Sequence, residues 1–289
     1  MERSSDSLSR LCELLKQSRR HNTGPRPSSA GRLSRLCELL KQSRRTVVLT
    51  GAGVSTLSGI PDFRSANGLY AHDWHGMRIE DILSLNVFRV HPEYFYALKI
   101  FLQPDNAYQP NIVHTTLAEM QARNLIGGIF TQNIDRLHTI AGAHDVIELH
   151  GSAQHNHCLK CHAHYPLSDI IDTAMKGEVP YCPKCGGVIK PDIIFYGENL
   201  VEEDLTRAFN DFAHADLALV LGTSLVVYPV AALPEETIRH GGKLVIVNAQ
   251  PTPLDRHAEL LFTDLQSTFE GLHQWLASEA GTPSSALQN

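Results

Sequence analysis

A short stretch narrows the fold more than any other: the run Val47-Val48-Leu49 leads straight into Gly51-Ala52-Gly53. An unbroken apolar run reads as a strand covered on both faces, and glycines at its carboxyl end let the chain turn sharply into the next element. Runs of the same character recur at 127–131, 145–149, 192–196, 216–221 and 243–247, with helical patterns between several of them, at 114–124 and 202–215. Strands joined by helices imply parallel pairing through right-handed crossovers. The fold class expected is therefore α/β, a Rossmann-like doubly wound parallel sheet. Two stretches break the alternation. Residues 60–112 are rich in histidine and aromatics and read as largely helical, and residues 153–191 hold four paired cysteines. Both read as insertions that build a smaller lobe over the sheet.

A chain of 289 residues, 43% apolar and 19% charged, has the make-up of an ordinary globular enzyme of one or two domains. No stretch approaches the roughly 18 uninterrupted apolar residues of a membrane span, and the N-terminus lacks the apolar segment of a secretory signal. A cytoplasmic setting is the expectation. Residues 1–45 hold 11 Lys/Arg against 4 Asp/Glu, so the body carries the acidic excess behind the net charge of −6. That balance argues against direct nucleic-acid binding by the main domain. The basic segment contains a repeat: LSRLCELLKQSRR stands at 8–20 and again, letter for letter, at 33–45. Each copy puts leucines on one helical face (Leu8, Leu11, Leu14 and Leu15, then Leu33, Leu36, Leu39 and Leu40). The second copy runs into the Val47 strand and is read as the first helix of the domain. The first copy and its Pro/Gly/Ser linker read as a loose extension. Its sharper alternative is exchange with the second copy for one groove.

The cysteines form Cys158-x-x-Cys161 and Cys182-x-x-Cys185, separated by twenty residues. Two such knuckles present four thiolates to one metal, the pattern of a zinc ribbon. Four protein ligands leave no open position, so the zinc is structural. A redox dithiol is the alternative, and a single pair would serve for that. His155, His157, His162 and His164 flank the site and read as surface residues.

Polar residues gather where the apolar runs end, and ligands bind there in doubly wound sheets. Gln132, Asn133 and Asp135 follow the 127–131 run, His150 follows 145–149, Gly222-Thr223-Ser224 follows 216–221, and Asn248 follows 243–247. His150 reads either as a general base or as a strand-end cap. The glycine turn is odd for a dinucleotide site: the third glycine of G-x-G-x-x-G would fall at 56, where Thr56 stands, and the chain runs into Pro61-Asp62-Phe63-Arg64.

Taken in order, GAGVSTLSGIPDFRS, TQNIDRLH, the His-Gly of ELHGS, the two C-x-x-C pairs, PDIIFYGENL, GTSLVVYP and the VN that ends the 243–247 run resemble the sirtuins, over about residues 33–270. The compact bacterial-type members are the most similar. The resemblance implies a catalytic core at 33–280, with a large domain from 33–59, 113–152 and 192–280. It implies a small domain made of the helical module 60–112 and the zinc ribbon 153–191. Residues 1–32 and 281–289 fall outside it. It implies NAD as a consumed co-substrate and an acyl-lysine protein or peptide as partner; a monomer that binds no membrane is the separate expectation. By position, Gly51, Ala52, Gly53, Ser55, Asp62, Phe63 and Arg64 would contact NAD. Gln132, Asn133, Ile134, Asp135, Gly222, Thr223, Ser224, Asn248, Asp264 and Leu265 would join them, next to Thr263. This accounts for the odd turn: NAD that is to be cleaved needs a loop at its nicotinamide end, not a rigid helix throughout.

The implied reaction is NAD-dependent protein-lysine deacylation. The acyl oxygen attacks the carbon that bears nicotinamide, His150 is the general base with Asn133 assisting, and free lysine and O-acyl-ADP-ribose leave. The peptide would lie against Ile194, Tyr196, Gly197, Glu198 and Asn199 on one side and Val226 on the other. Two positions depart from the family. Members that remove acidic acyl groups carry Tyr-x-x-Arg where this chain has Tyr96-Ala97-Leu98-Lys99, and many members carry Phe where this chain has Tyr196. Uncharged acyl groups are the expected substrates, with weak succinyl or malonyl removal through Tyr96 and Lys99 as a side expectation. The alternatives are a mono-ADP-ribosyltransferase on the same fold and a non-catalytic NAD-binding protein. The presence of His150 favours deacylation over both.

Overall fold

A computed structural model of the chain describes residues 29–280 apart from 75, 100 and 103–106. The first repeat copy with Cys12, linker residues 21–28 and the tail 281–289 lie outside the described residues, whereas linker residues 29–32, expected to be loose, form the first turn of the helix Ser29–Gln42. Six strands form one sheet in the order Leu260–Phe262, Lys243–Val247, Leu217–Leu221, Thr46–Thr50, Ile129–Thr131 and Val146–Glu148. Every pairing in it is parallel. The chain starts in the middle, winds out one way and then the other. The order reverses between Thr46–Thr50 and Leu217–Leu221, and doubly wound sheets bind ligands outside the carboxyl ends of the strands at such a reversal.

Five of the six expected runs are strands of this sheet. The run 192–196 is not. Its first residues belong to Ile189–Ile193, which pairs antiparallel with Gly151–Cys158 in a separate three-stranded sheet completed by His164–Pro166. The true sixth strand, Leu260–Phe262, is three residues long. A short edge strand covered on one side needs no long apolar run, so it leaves little trace in the sequence.

Alternation along each strand splits the core. Val48, Leu219, Val245 and Val247 pack on one face with Leu36, Leu39 and Leu40 of the helix Ser29–Gln42 and with Phe269 and Leu272 of the helix Leu265–Ala280. Val47, Leu49, Val220 and Ile246 pack on the other with Phe212 and Leu233. The leucine face of the second repeat copy is thus the face that is buried. It seats closely: a β-carbon at Gly271 would stand 2.4 Å from Leu33.

A third core belongs to the smaller lobe. Ile82, Phe88, Phe95 and Tyr96 from the 60–112 region pack there with Cys158, Ile170, Ile189 and Phe195. The α-helices that lie wholly in that region are short, Ile79–Ile82, Leu85–Val90 and Pro92–Leu98, and a 3-10 turn at Leu69–Ala71, a small strand pair (Asp73–Trp74 with Met77–Arg78) and irregular chain lie between and around them. The expectation of a largely helical module is corrected accordingly.

Candidate active site

The glycine turn sits at the sheet reversal. Gly51 N donates to Leu221 O at 3.0 Å and Gly53 N to Gly222 O at 2.9 Å. A β-carbon on Gly51 would meet Gly222 O at 2.8 Å, one on Gly53 would meet Gly222 Cα at 2.9 Å, and one on Gly222 would meet Val54 N at 2.5 Å. Two loops are in backbone contact here, and only glycine allows it. The following segment, Ala52–Ser58, is a 3-10 helix that ends at Gly59 with φ 90°. Thr56 lies on its exposed side with its hydroxyl on Gly53 O at 2.8 Å. Nothing packs closely on that position, so no third glycine is required.

After Gly59 the chain forms a closed loop. Asp62 Oδ1 accepts from Arg64 N at 3.1 Å and Ser65 N at 2.8 Å, while Leu69 N and Tyr70 N return to Asp62 O and Phe63 O. This loop hangs Phe63 and Arg64 over a cleft of about 600 Å³ between the two lobes. Every residue expected at the cofactor lines that cleft, from Gly51, Ala52, Gly53 and Ser55 through Asp62, Phe63 and Arg64 to Asn248, Asp264 and Leu265.

The strand Ile129–Thr131 delivers the next group. Gln132 Nε2 donates to Thr223 Oγ1 at 2.9 Å, tying two expected cofactor residues together. Asn133 Nδ2 donates to Gly51 O at 3.1 Å and Ser55 Oγ at 3.0 Å, and Ser55 Oγ donates to Asp135 Oδ2 at 2.5 Å. Burial raises the Asp135 carboxyl above its ordinary value, and the hydrogen bonds from Ser55 and Leu137 pull it back down. Asn248 and Asp264 line the far end and have local partners: Asn248 Nδ2 donates to Gln250 O, and Asp264 Oδ1 accepts from Ser267 N at the start of the last helix.

His150 stands where the chain leaves the large sheet for the small one. Leu149 N donates to Thr131 O and Ile194 N donates to His150 O, so both neighbours are fixed. Gly151 has φ 74°, and a β-carbon there would lie 2.0 Å from Asp192 O. This is why a glycine follows the histidine. His150 Nδ1 lies 3.1 Å from Gln132 O. A carbonyl only accepts, so Nδ1 carries the proton and Nε2 keeps its lone pair. Burial lowers the His150 pKa below its ordinary value, the Gln132 contact opposes that, and the Arg64 charge lowers it further. A neutral imidazole with an unprotonated Nε2, in a cleft, is equipped to take a proton.

On the opposite wall Ile194, Tyr196, Gly197 and Glu198 line the cleft, and Asn199 and Val226 do not. Tyr196 N donates to Leu83 O and Leu85 N donates to Tyr196 O, which joins this wall to the helical region. The Tyr196 hydroxyl lies 3.0 Å from Tyr70 Oη and accepts from Arg64 at 3.4 Å, so it reaches across the cleft to the cofactor loop. The Glu198 carboxylate faces inward. It meets the buried Lys190 ammonium at 2.9 Å and accepts from Phe195 N at 2.8 Å. Lys190 also donates to Ile193 O at 2.8 Å.

Tyr96 and Lys99 do not reach the cleft, which corrects their expected place. Tyr96 is 1% exposed, wedged among Phe88 and Phe95, and its hydroxyl donates to Ile189 O at 2.7 Å. Lys99 is exposed beyond it and runs along Gly177. Tyr70, Phe101, Tyr108, Gln154 and Tyr228 line the cleft without having been expected there. A tyrosine seven residues beyond Phe63 carries no signal until the loop is seen to close on itself.

The four cysteine sulfurs lie within 4.8 Å of one another. The pairs Cys158–Cys185 and Cys161–Cys182 are 3.4 and 3.6 Å apart, close to the edge of about 3.8 Å of a tetrahedron with 2.3 Å bonds. The N–H groups of Lys160 and Cys161 point at Cys158 Sγ, and a β-carbon on Gly187 would lie 2.7 Å from that sulfur. The Tyr165 hydroxyl, 3.0 Å from Cys182 Sγ, is the main cause that brings this thiol down to about 6. The set fits a structural zinc and leaves no open position. Among the described residues no helix is long and apolar enough to cross a membrane.

The model of the Sir2 family matches residues 51–229. The chain is 45% identical over 218 residues to a Thermotoga maritima protein named NAD-dependent protein deacetylase, covering 75% of this chain and 87% of that one. It is 40% identical over 210 residues to NAD-dependent protein deacylase 2 of Archaeoglobus fulgidus, covering 72% and 81%. A solved structure of Sir2 with a p53 peptide and NAD+ matches with a TM-score of 0.75 at 41% identity, covering 86% of this chain and 99% of that one. A structure of Sir2Tm bound to a propionylated peptide matches with the same TM-score at 40% identity and the same coverage.

Proposed function

The chain belongs to the Sir2 family, and from that premise we infer that it is an NAD-dependent protein-lysine deacylase, acting first on acetyl-lysine. NAD is consumed, and nicotinamide, free lysine and O-acyl-ADP-ribose are formed. One observation carries the assignment of the base: His150 is held neutral in the cleft with Nδ1 on the Gln132 carbonyl and Nε2 left as an acceptor.

NAD supplies a ribose carbon that becomes electrophilic as nicotinamide departs. The chain's own residues do the remainder. Gly51, Gly53 and Gly222 bring two loops together in the cleft, and Thr223 and Ser224 offer hydroxyls there to a pyrophosphate. Asn133 and Asp135, braced through Ser55, face the nicotinamide end. Phe63, packed on Tyr70 at 5.2 Å, covers the reacting ribose and keeps water away. His150 Nε2 takes the proton from a ribose hydroxyl. The peptide lies along Ile194 to Gly197, and the Lys190–Glu198 pair holds that segment from behind. Cys158, Cys161, Cys182 and Cys185 would hold the zinc, which ties the smaller lobe together and takes no part in the reaction.

Tyr96 has its hydroxyl engaged and Lys99 lies outside the cleft, which supports uncharged acyl groups as substrates. Lys99→Ala is expected to leave the ratio of succinyl to acetyl turnover unchanged, measured on matched peptides. A monomer and a cytoplasmic setting belong to this reading, supported by cysteines used as thiolates. Exchange of the first repeat copy for the second is its open branch. Its test is the mass in solution and the rate of Cys37 labelling, in the full chain and without residues 1–28; equal values in both would remove it.

The deciding experiment is mass spectrometry of the products from NAD and an acetyl-lysine peptide, for the wild type and His150→Ala. Deacetylated peptide with one O-acetyl-ADP-ribose per turnover, lost in the variant, is the expected result. A peptide that gains an ADP-ribose mass would replace the reading with a transferase. No turnover on acetyl, propionyl or succinyl peptides would leave a binding protein.

A further inference from the structure

Two buried imidazoles take no part in the reaction described above. His114 and His138 are 0% and 1% exposed, with ring centroids 4.7 Å apart at 62°. Their protonation states follow from their neighbours. His114 Nδ1 receives Asn111 N at 3.2 Å, and an amide N–H only donates, so the His114 proton is on Nε2. His138 Nε2 lies 3.0 Å from Thr50 Oγ1, and the Thr50 hydroxyl donates to Thr131 Oγ1 at 2.8 Å. The single Thr50 proton is thereby used, so His138 Nε2–H donates to Thr50 and His138 Nδ1 is bare. The atoms left over are His114 Nε2–H and His138 Nδ1, and neither has a hydrogen-bond partner among the described residues. One is a donor and one an acceptor, on adjacent rings.

The chain of contacts joins the two loops that face the cofactor. At one end the Asn111 side chain donates to Val54 O at 2.9 Å and Ser58 Oγ at 2.8 Å, on the 3-10 helix of the glycine turn. At the other end Thr131 Oγ1 accepts from Asn133 N at 3.0 Å. We propose that His114 and His138 act as one neutral pair of positioning residues, which sets Asn133 against the Gly51–Ser58 turn through Thr50 and Thr131. Burial supports this, since it lowers the two imidazoles to about 4 and about 3 and so keeps both neutral. The pair is held by the hydrogen bonds at its two outer ends and by the contact of the rings, and loss of one of those bonds would leave further buried polar groups unpaired. The role for the reaction rests on the deacylase reading; the protonation states do not.

The first test is nitrogen-15 histidine NMR of the whole wild-type protein at neutral pH. Both rings are expected as neutral Nε2–H tautomers. A proton on His138 Nδ1, or a positive charge on either ring, would overturn the pair. The second uses Thr50→Val, equal in shape but unable to accept from His138 or donate to Thr131, beside Thr50→Ser, which keeps the hydroxyl. In Thr50→Val the Kd for NAD, by calorimetry, should rise about tenfold, with a matching rise in the KM for NAD, an unchanged peptide KM and recovery in Thr50→Ser. An NAD affinity within twofold of wild type in Thr50→Val would limit the pair to a structural role. Loss of turnover in the wild type with NAD binding intact would fail the deacylase reading and leave the pair standing.

Discussion

As the proposed base, His150 acts only while it is neutral, and its surroundings favour that state. Burial and the Arg64 charge lower its pKa against the opposing Gln132 contact, so the acid limb of kcat/KM should fall below the ordinary histidine value of about 6.5. The active form is the unprotonated one. Activity is therefore full above that limb and lost as pH falls through it. His150→Ala should cost about 10²–10⁴-fold in kcat and lose the limb, with NAD binding kept. A pH profile of both proteins checks this, and an unchanged limb in the variant would assign it to another group. Its neighbour Gly151 is as constrained as the base. A side chain there must adopt φ 74° and pass 2.0 Å from Asp192 O, so Gly151→Ala should destabilise the protein by about 4 kcal/mol or more, measured by urea unfolding.

Among the elements, the zinc ribbon shows how a local motif supports a distant surface. Cys158 and Cys182 are buried in the same core as Ile189, Ile193 and Phe195, and Ile189–Ile193 runs on into the cleft wall proposed to hold the peptide. Four thiolates without a metal would repel and unfold their knuckles. Cys158→Ser is expected to lose the single zinc, by elemental analysis, and to raise the peptide KM more than the Kd for NAD, because the cofactor loops hang from the other sheet. Equal effects on both would show that the two lobes do not separate in this way. The glycine turn makes a related point. Gly51 and Gly53 are small because a neighbouring loop of the protein touches them.

For the whole molecule, the buried histidines couple folding to pH. His114 and His138 titrate at about 4 and about 3 in the folded chain, against about 6.5 unfolded. Between those values the unfolded chain binds more protons, so stability rises with pH across that window. Full stability should hold above about pH 6.5 and fall progressively on acidification toward pH 4. Urea midpoints at intervals from pH 7 to 4 check this, and a flat profile would contradict neutral, buried rings.

The amino-acid sequence by itself determined the class of sheet, the zinc ligands and the motifs at the strand ends. These are local in the chain: an apolar run, a C-x-x-C spacing or a glycine turn is complete within a few residues. Tertiary structure decided what depends on distant partners. The run at 192–196 is as apolar as its neighbours, yet antiparallel pairing with Gly151–Cys158 takes its first residues into another sheet, while Leu260–Phe262 completes the large one. Tyr96 and Lys99 match a substrate motif by position, yet packing among phenylalanines turns Tyr96 toward Ile189. His114 and His138, 24 residues apart, carry no joint signal until two helices, Ile112–Ala122 and Leu137–Ile140, bring their rings together. A pattern in sequence states what a residue is able to do, and the partner that uses that ability arrives from elsewhere in the chain.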